Sequence, residues 1–269
     1  MSPRAGPAEA GSRLATLPVV AARLIALYST EGYTVDQVVS LLETDPGIST
    51  RILRLANSAY YGLEGRVEST RRAALLLGGA TVQAVALGMT LLRHWAASPV
   101  PPQVEELWIE AFLCGTGCRY LARRLTRHPH RGDPDALFLA GLLRDVGKLL
   151  FLAEDPAGYA AMLLHAGSGA ELRDAERRHF GRDHAEAGGE LLDAWSFPRR
   201  TAALVRHHHH HHGDLRAELH PDWEVMAAAS AALKGEAPAG NIPPDLVADL
   251  VAHFARSRAE AEAFYRSLS

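Results

Sequence analysis

Two stretches decide how this chain is read: DPGISTRILRLANSAYYG at residues 45–62 and FLAGLLRDVGK at residues 138–148. In the first, Asp45-Pro46 opens a helix. Proline has no N–H to lose in a first turn, and the preceding carboxylate can cap the free backbone donors. Ile48, Ile52, Leu53 and Leu55 then recur at helical spacing as its buried side. Asn57 is suited to end that helix by bonding nearby backbone, and Ser58 beside it has no base partner close in sequence. The second stretch is apolar until Arg144-Asp145, where two opposite charges interrupt a run reading as one helix from Pro134 to Leu152.

Outward from these stretches the pattern stays helical. Thr34 with Gln37 and Asp183 with Glu186 have capping-box spacing, and Ser257 with Glu260 repeats it near the end of the chain. Gly78-Gly79 breaks an apolar stretch over 70–97, and a helix is expected over 103–126. Ser168 is expected to start another, and Pro198 one that enters the histidine run 207–212. No period-two alternation is long enough for a strand, so the class is all-α. The organisation expected is a flexible tail over 1–13, an N-terminal helical lobe over 14–100, a second helical lobe over 101–212 and a helical extension over 213–269. Prolines at 98–102 mark the connector.

Composition excludes several classes. Of 269 residues, 48% are apolar and 22% charged, which suits a folded globular chain rather than a disordered one. A net charge of −3 gives no global attraction to nucleic acid, so a nucleic-acid partner is not expected. Two cysteines, Cys114 and Cys118, cannot build a disulfide framework and read as small buried thiols. No apolar run approaches the ~20 residues of a membrane span. The first thirteen residues lack the apolar core of a signal peptide. A reducing cytoplasm and no membrane partner are expected.

The two opening stretches, with Trp108 between them and His184, Trp195 and Pro198 after them, resemble the HDOD family, the HD-related output domains of bacterial signalling. The resemblance covers roughly residues 14–210. It implies an N-terminal helical lobe joined to a lobe like that of HD-type metal-dependent phosphohydrolases, and it places Asp45, Pro46, Asn57, Ser58, Trp108, Glu110, Arg144, Asp145 and Lys148 in motif or structural positions. The histidine of the HD pair stands here as Arg144, leaving Asp145, and an earlier family histidine stands as Glu110. Arginine offers no lone pair to a metal. Arg144 is therefore expected to fill the place of the ion, pairing with Asp145 or Glu110 as two buried acids on facing helices.

No catalytic residue and no resident metal or other cofactor are expected. The residues the resemblance leaves as metal-ligand candidates are Asp145, His184, His208 and His209. A helix through the histidine run would put His208 and His212 on one face, as i and i+4. Adventitious nickel or zinc on His207–His212 is expected in any case. The function expected is a non-catalytic signal-transduction domain acting in trans on signalling proteins. The alternatives are a nucleotide or cyclic-dinucleotide sensor without hydrolysis, with a nucleotide as partner, and a metal-dependent phosphohydrolase or phosphodiesterase. The arginines at 119, 123, 124 and 127, and those at 173, 177, 178 and 182, read as solvated faces, with phosphate contact as the alternative for both clusters.

Overall fold

The structure is a computed structural model. It describes residues 19–28, 30, 32–58, 66–95, 103–125, 132–166, 169–210, 217–237 and 242–268. Expectations for the tail 1–13, for the connector 98–102, for Ser168 and for His211 and His212 lie outside the described residues. Among the described residues every regular element is helical. No single helix among them is long and apolar enough to cross a membrane.

The first lobe holds α1 (Val19–Tyr28), α2 (Val35–Leu42), α3 (Pro46–Ala56), α4 (Thr70–Leu77) and α5 (Gly79–Trp95). Its caps follow local chemistry. Thr34 accepts from the Gln37 N–H while Gln37 reaches back to Thr34, and Asp45 accepts from Gly47 and Ile48. Ile48, Ile52 and Leu55 are buried as their spacing requires. Asn57 ends α3 and fastens the incoming loop, its amide donating to Val67 O at 2.8 Å and its carbonyl accepting from Val67 N at 3.0 Å. Ser58 Oγ is buried and meets no hydrogen-bond partner among the described residues. Gly78, at φ +78°, turns the chain by 107° between α4 and α5.

Helices α6 (Gln103–Arg124), α7 (Pro134–Leu143), α8 (Val146–Glu154), α9 (Pro156–Ala166), α10 (Ala170–Phe180), α11 (His184–Ala194), α12 (Arg199–Arg206) and α13 (His220–Leu233) follow, and α14 (Pro244–Leu268) closes the chain. The core helix is α6, against which α7, α13 and α14 pack. Gly115 and Gly141 let α6 and α7 approach closely: a Cβ on Gly115 would lie 2.7 Å from the Phe138 carbonyl oxygen. Cys114 and Cys118 are free and buried.

Three expectations are corrected. The single helix over 134–152 is two, broken at Arg144-Asp145, where Asp145 leaves helical geometry at φ −99°, ψ 14°. The apolar pattern runs through that break because both helices are buried on most sides, so periodicity carries no sign of it. Ser257 and Glu260 cap nothing. They sit inside α14 and are buried, and the expected cap spacing is there a matter of packing. The helix entering the histidine run stops at Arg206, and His207–His210 form a turn closed by His210 N–H donating to His207 O at 2.9 Å. His208 thus stands in a turn and not on a helix face; its expected i+4 partner, His212, lies outside the described residues.

Candidate functional site

The break between α7 and α8 aims Arg144 and Asp145 at a cleft of about 340 Å³, walled also by α11, by the turn after α12 and by α13. Glycines bring these walls together. A Cβ on Gly147 would lie 2.0 Å from the His184 carbonyl oxygen, and Gly188 faces Gly147 from α11. The bare backbones of α8 and α11 can thus touch, which sets His184 across from Asp145. On the other side of α11, the Asp183–Glu186 capping box fixes where that helix starts.

Around Asp145 the charges are dense. Arg144 Nε donates to Asp145 Oδ2 at 2.8 Å, and Lys148 Nζ lies 3.0 Å from Oδ1. A second Arg144 nitrogen donates to Cys114 Sγ at 3.1 Å. His184 Nε2 is 3.3 Å and His208 Nε2 3.9 Å from Asp145 Oδ1. Burial opposes ionisation of Asp145, but Lys148, Arg144 and His184 outweigh it and hold the carboxyl well below the usual range. Trp108 is buried behind the site against Phe264.

His184 is oriented from behind by a residue that the sequence reading passed over. Glu176, fully buried on α10, accepts from His184 Nδ1 at 2.7 Å and from the His184 backbone N–H at 2.9 Å. Tyr159 donates to the same carboxylate at 2.5 Å. The only local sign was an acid four residues after Leu172 on the buried side of α10. Burial lowers the basicity of His184, yet its bonds to Asp145 and Glu176 prevail and raise its pKa. His208 donates through Nδ1 to Val205 O at 2.7 Å, which leaves Nε2 as the lone-pair nitrogen. Burial pushes His208 down to about 3 and His209 further still. His209 Nε2 stands 2.9 Å from His184 Nε2.

An HD-like lobe implies a bound ion, and the histidines here offer a ligand set for one. One ligand nitrogen each from His184, His208 and His209 lies within 4.8 Å of the others. His208 Nε2 is buried without a hydrogen-bond partner among the described residues, and His184 and His208 have their Nδ1 protons committed elsewhere. That is the arrangement of imidazoles held by outer partners for metal binding. His184 Nε2 and His209 Nε2, 2.9 Å apart, are in hydrogen-bond contact, and a shift of about half an ångström would bring them to the spacing of two ligands on a tetrahedral ion. The set fits one ion and not two, because the Arg144 guanidinium covers the other side of Asp145. Glu110 borders the cleft but is exposed, contrary to the expected pair of buried acids; of the two partners expected for Arg144, Asp145 is the one it meets.

Arg177 meets Asp183 and Glu186, and Arg182 meets Glu190, so these two members of that arginine cluster serve α11 rather than a ligand.

Comparison with known proteins agrees with this architecture. No curated protein matches the chain. Among solved structures, a protein from Shewanella amazonensis SB2B, provisionally named a phosphohydrolase, is 24% identical with a TM-score of 0.71, covering 97% of each chain. An HDOD domain protein of unknown function from Geobacter sulfurreducens is 20% identical with a TM-score of 0.68, covering 97% of this chain and 99% of that one. A protein from Marinobacter aquaeolei VT8, provisionally named for signal transduction, is 20% identical with a TM-score of 0.73, over 94% of this chain and 59% of that one. These likenesses show the fold. The HDOD domain model itself matches residues 14–211, and with the helical lobes and the altered HD pair on the page, the chain belongs to the HDOD family.

Proposed function

We propose that this chain is a non-catalytic signal-transduction domain that works through contacts with other signalling proteins in a bacterial cytoplasm. The observation that carries this reading is the buried Arg144–Asp145 pair, 2.8 Å long and reinforced by Lys148. Hydrolysis at an HD site asks that aspartate to share metal ions that acidify a water. Here the carboxylate is already neutralised by two cations, and one of them cannot lose its proton. The same pair weakens the case for a nucleotide sensor at this cleft, since two of the three Arg144 nitrogens are already taken by Asp145 and Cys114.

A second reading rests on the histidine cluster. His184, His208 and His209 would hold one divalent ion, which when bound would supply Lewis acidity and tie α11 to the turn after α12. Glu176 would fix the His184 ring, and Val205 the His208 ring.

The test is turnover of a cyclic dinucleotide and of a generic phosphodiester with manganese or iron supplied. No turnover is expected. Turnover that disappears in Asp145→Ala would overturn the proposal. Partner capture from the native cells should use covalent immobilisation, because the internal histidines bind nickel resins.

A further inference from the structure

A second cleft lies on another face of the molecule, where the α4–α5 turn meets α6 and α14. It encloses about 450 Å³, within the ~300–1,000 Å³ of ordinary small-molecule pockets. One wall is cationic: Arg119, Arg123 and Arg124 project from the last turns of α6. The opposite wall is apolar: Leu75 and Leu76 of α4 leave 59% and 41% of their surface exposed, and both line the cleft. Large aliphatic side chains exposed in a concavity are more informative than ones scattered over a convex surface.

The cationic wall is built rather than loose. Tyr120 stacks on His253 of α14, ring centroids 4.5 Å apart, and the Arg124 guanidinium lies 3.6 Å from the Tyr120 centroid. Arg119 lies 4.4 Å over the Phe138 ring. One acid serves two of these arginines: Asp135 is 3.7 Å from Arg119 and 4.0 Å from Arg123. Both separations are longer than a hydrogen bond, and Arg123 is 63% exposed, so its fork is free to turn toward a ligand. Glu260, the other acid lining the cleft, is buried. Burial, together with Arg256, Arg119 and Arg124, drives His253 down to about 4, as an electropositive cleft requires.

We infer that this second cleft binds a small organic phosphate, its phosphate gripped by Arg119, Arg123 and Arg124 and its apolar or planar body laid on Leu75 and Leu76. Guanidinium forks match phosphate oxygens in bidentate pairs, and three of them exceed what a single carboxylate would use. A polynucleotide is a poorer match: the cationic surface is one short concave wall on a chain of net charge −3. The inference is independent of what the histidine cleft does.

The experiment is calorimetric titration of the full chain with AMP, GMP and inorganic phosphate at low salt, repeated on two variants. AMP or GMP should bind saturably and at least tenfold more tightly than inorganic phosphate. Arg123→Ser with Arg124→Ser should weaken nucleotide binding tenfold or more, and Leu75→Ser with Leu76→Ser severalfold. All four side chains are exposed, and a melting curve on each variant verifies the fold. Nucleotide binding should leave its mark on the ring resonances of His253. Three results would each overturn the inference: no saturable binding at millimolar nucleotide, inorganic phosphate bound as tightly as the nucleotides, or nucleotide binding that survives the arginine changes and is lost in His208→Ala.

Discussion

Arg144 is 4% exposed and makes two charge-assisted contacts, to Asp145 and to Cys114. Removing one partner of a buried ion pair typically costs about 3–5 kcal/mol, because the remaining charge is stranded. In this site Lys148 stays on Asp145, so Arg144→Ala should fall at the low end of that range, and Arg144→Met, which refills the volume, should cost less still. Thermal unfolding of the two variants checks both statements. A parent-like melt for Arg144→Ala would mean that the pair adds nothing to stability. The loss of the HD histidine was legible in the sequence, since Arg144 can be no metal ligand wherever it sits. Its true partner was not, because Glu110 and Asp145 are both acids and only burial distinguishes them. Glu176 was illegible for a related reason: Tyr159 and His184 reach it from α9 and α11, and no local pattern records such a meeting.

Helix starts were the most legible elements. Asp45-Pro46 and the boxes at Thr34–Gln37 and Asp183–Glu186 act within four residues, so sequence and structure carry the same information. Where tertiary packing competes, the local rule fails: Ser257–Glu260 has the spacing of a cap inside a continuous helix. The α8–α11 crossing is the element-scale determinant of the site. A methyl group on Gly147 would enter the His184 carbonyl, which is backbone and cannot step aside. Gly147→Ala should therefore push the two helices apart. Overpacking of this kind costs about 1–3 kcal/mol. At about 2–4 °C per kcal/mol for a domain of this size, the melting temperature should drop by several degrees. Because His184 moves away from His208 and His209, zinc uptake should weaken as well, measured on a background with His210–His212 replaced. Unchanged melting together with unchanged zinc affinity would refute the crossing as the determinant.

At the scale of the whole molecule, α14 bridges the first helices and the later ones, alongside α5, which packs on α7 and α8. Helix α14 packs on α6 in the second lobe and on α3 and α5 in the first. Phe264 is fully buried, its ring 4.7 Å from Phe112 and 6.1 Å from Trp108. At the helix end, Arg51 of α3 donates to Ser267 O at 3.1 Å. Within the C-terminal part of the chain, α14 contributes to the core and α13 walls the histidine cleft. Phe264→Ala should cost about 3–5 kcal/mol, the range for emptying a buried aromatic site. The distribution of that loss is the sharper test. If α14 couples the lobes, amides in α3 and α5 will lose hydrogen-exchange protection along with those in α6, although Phe264 sits against α6. Denaturant unfolding will remain a single transition with a lowered midpoint, because both lobes share the helix that is weakened. Loss of protection confined to α6 and α7, with the first lobe unchanged, would instead describe two independently stable lobes and remove α14 from its bridging role.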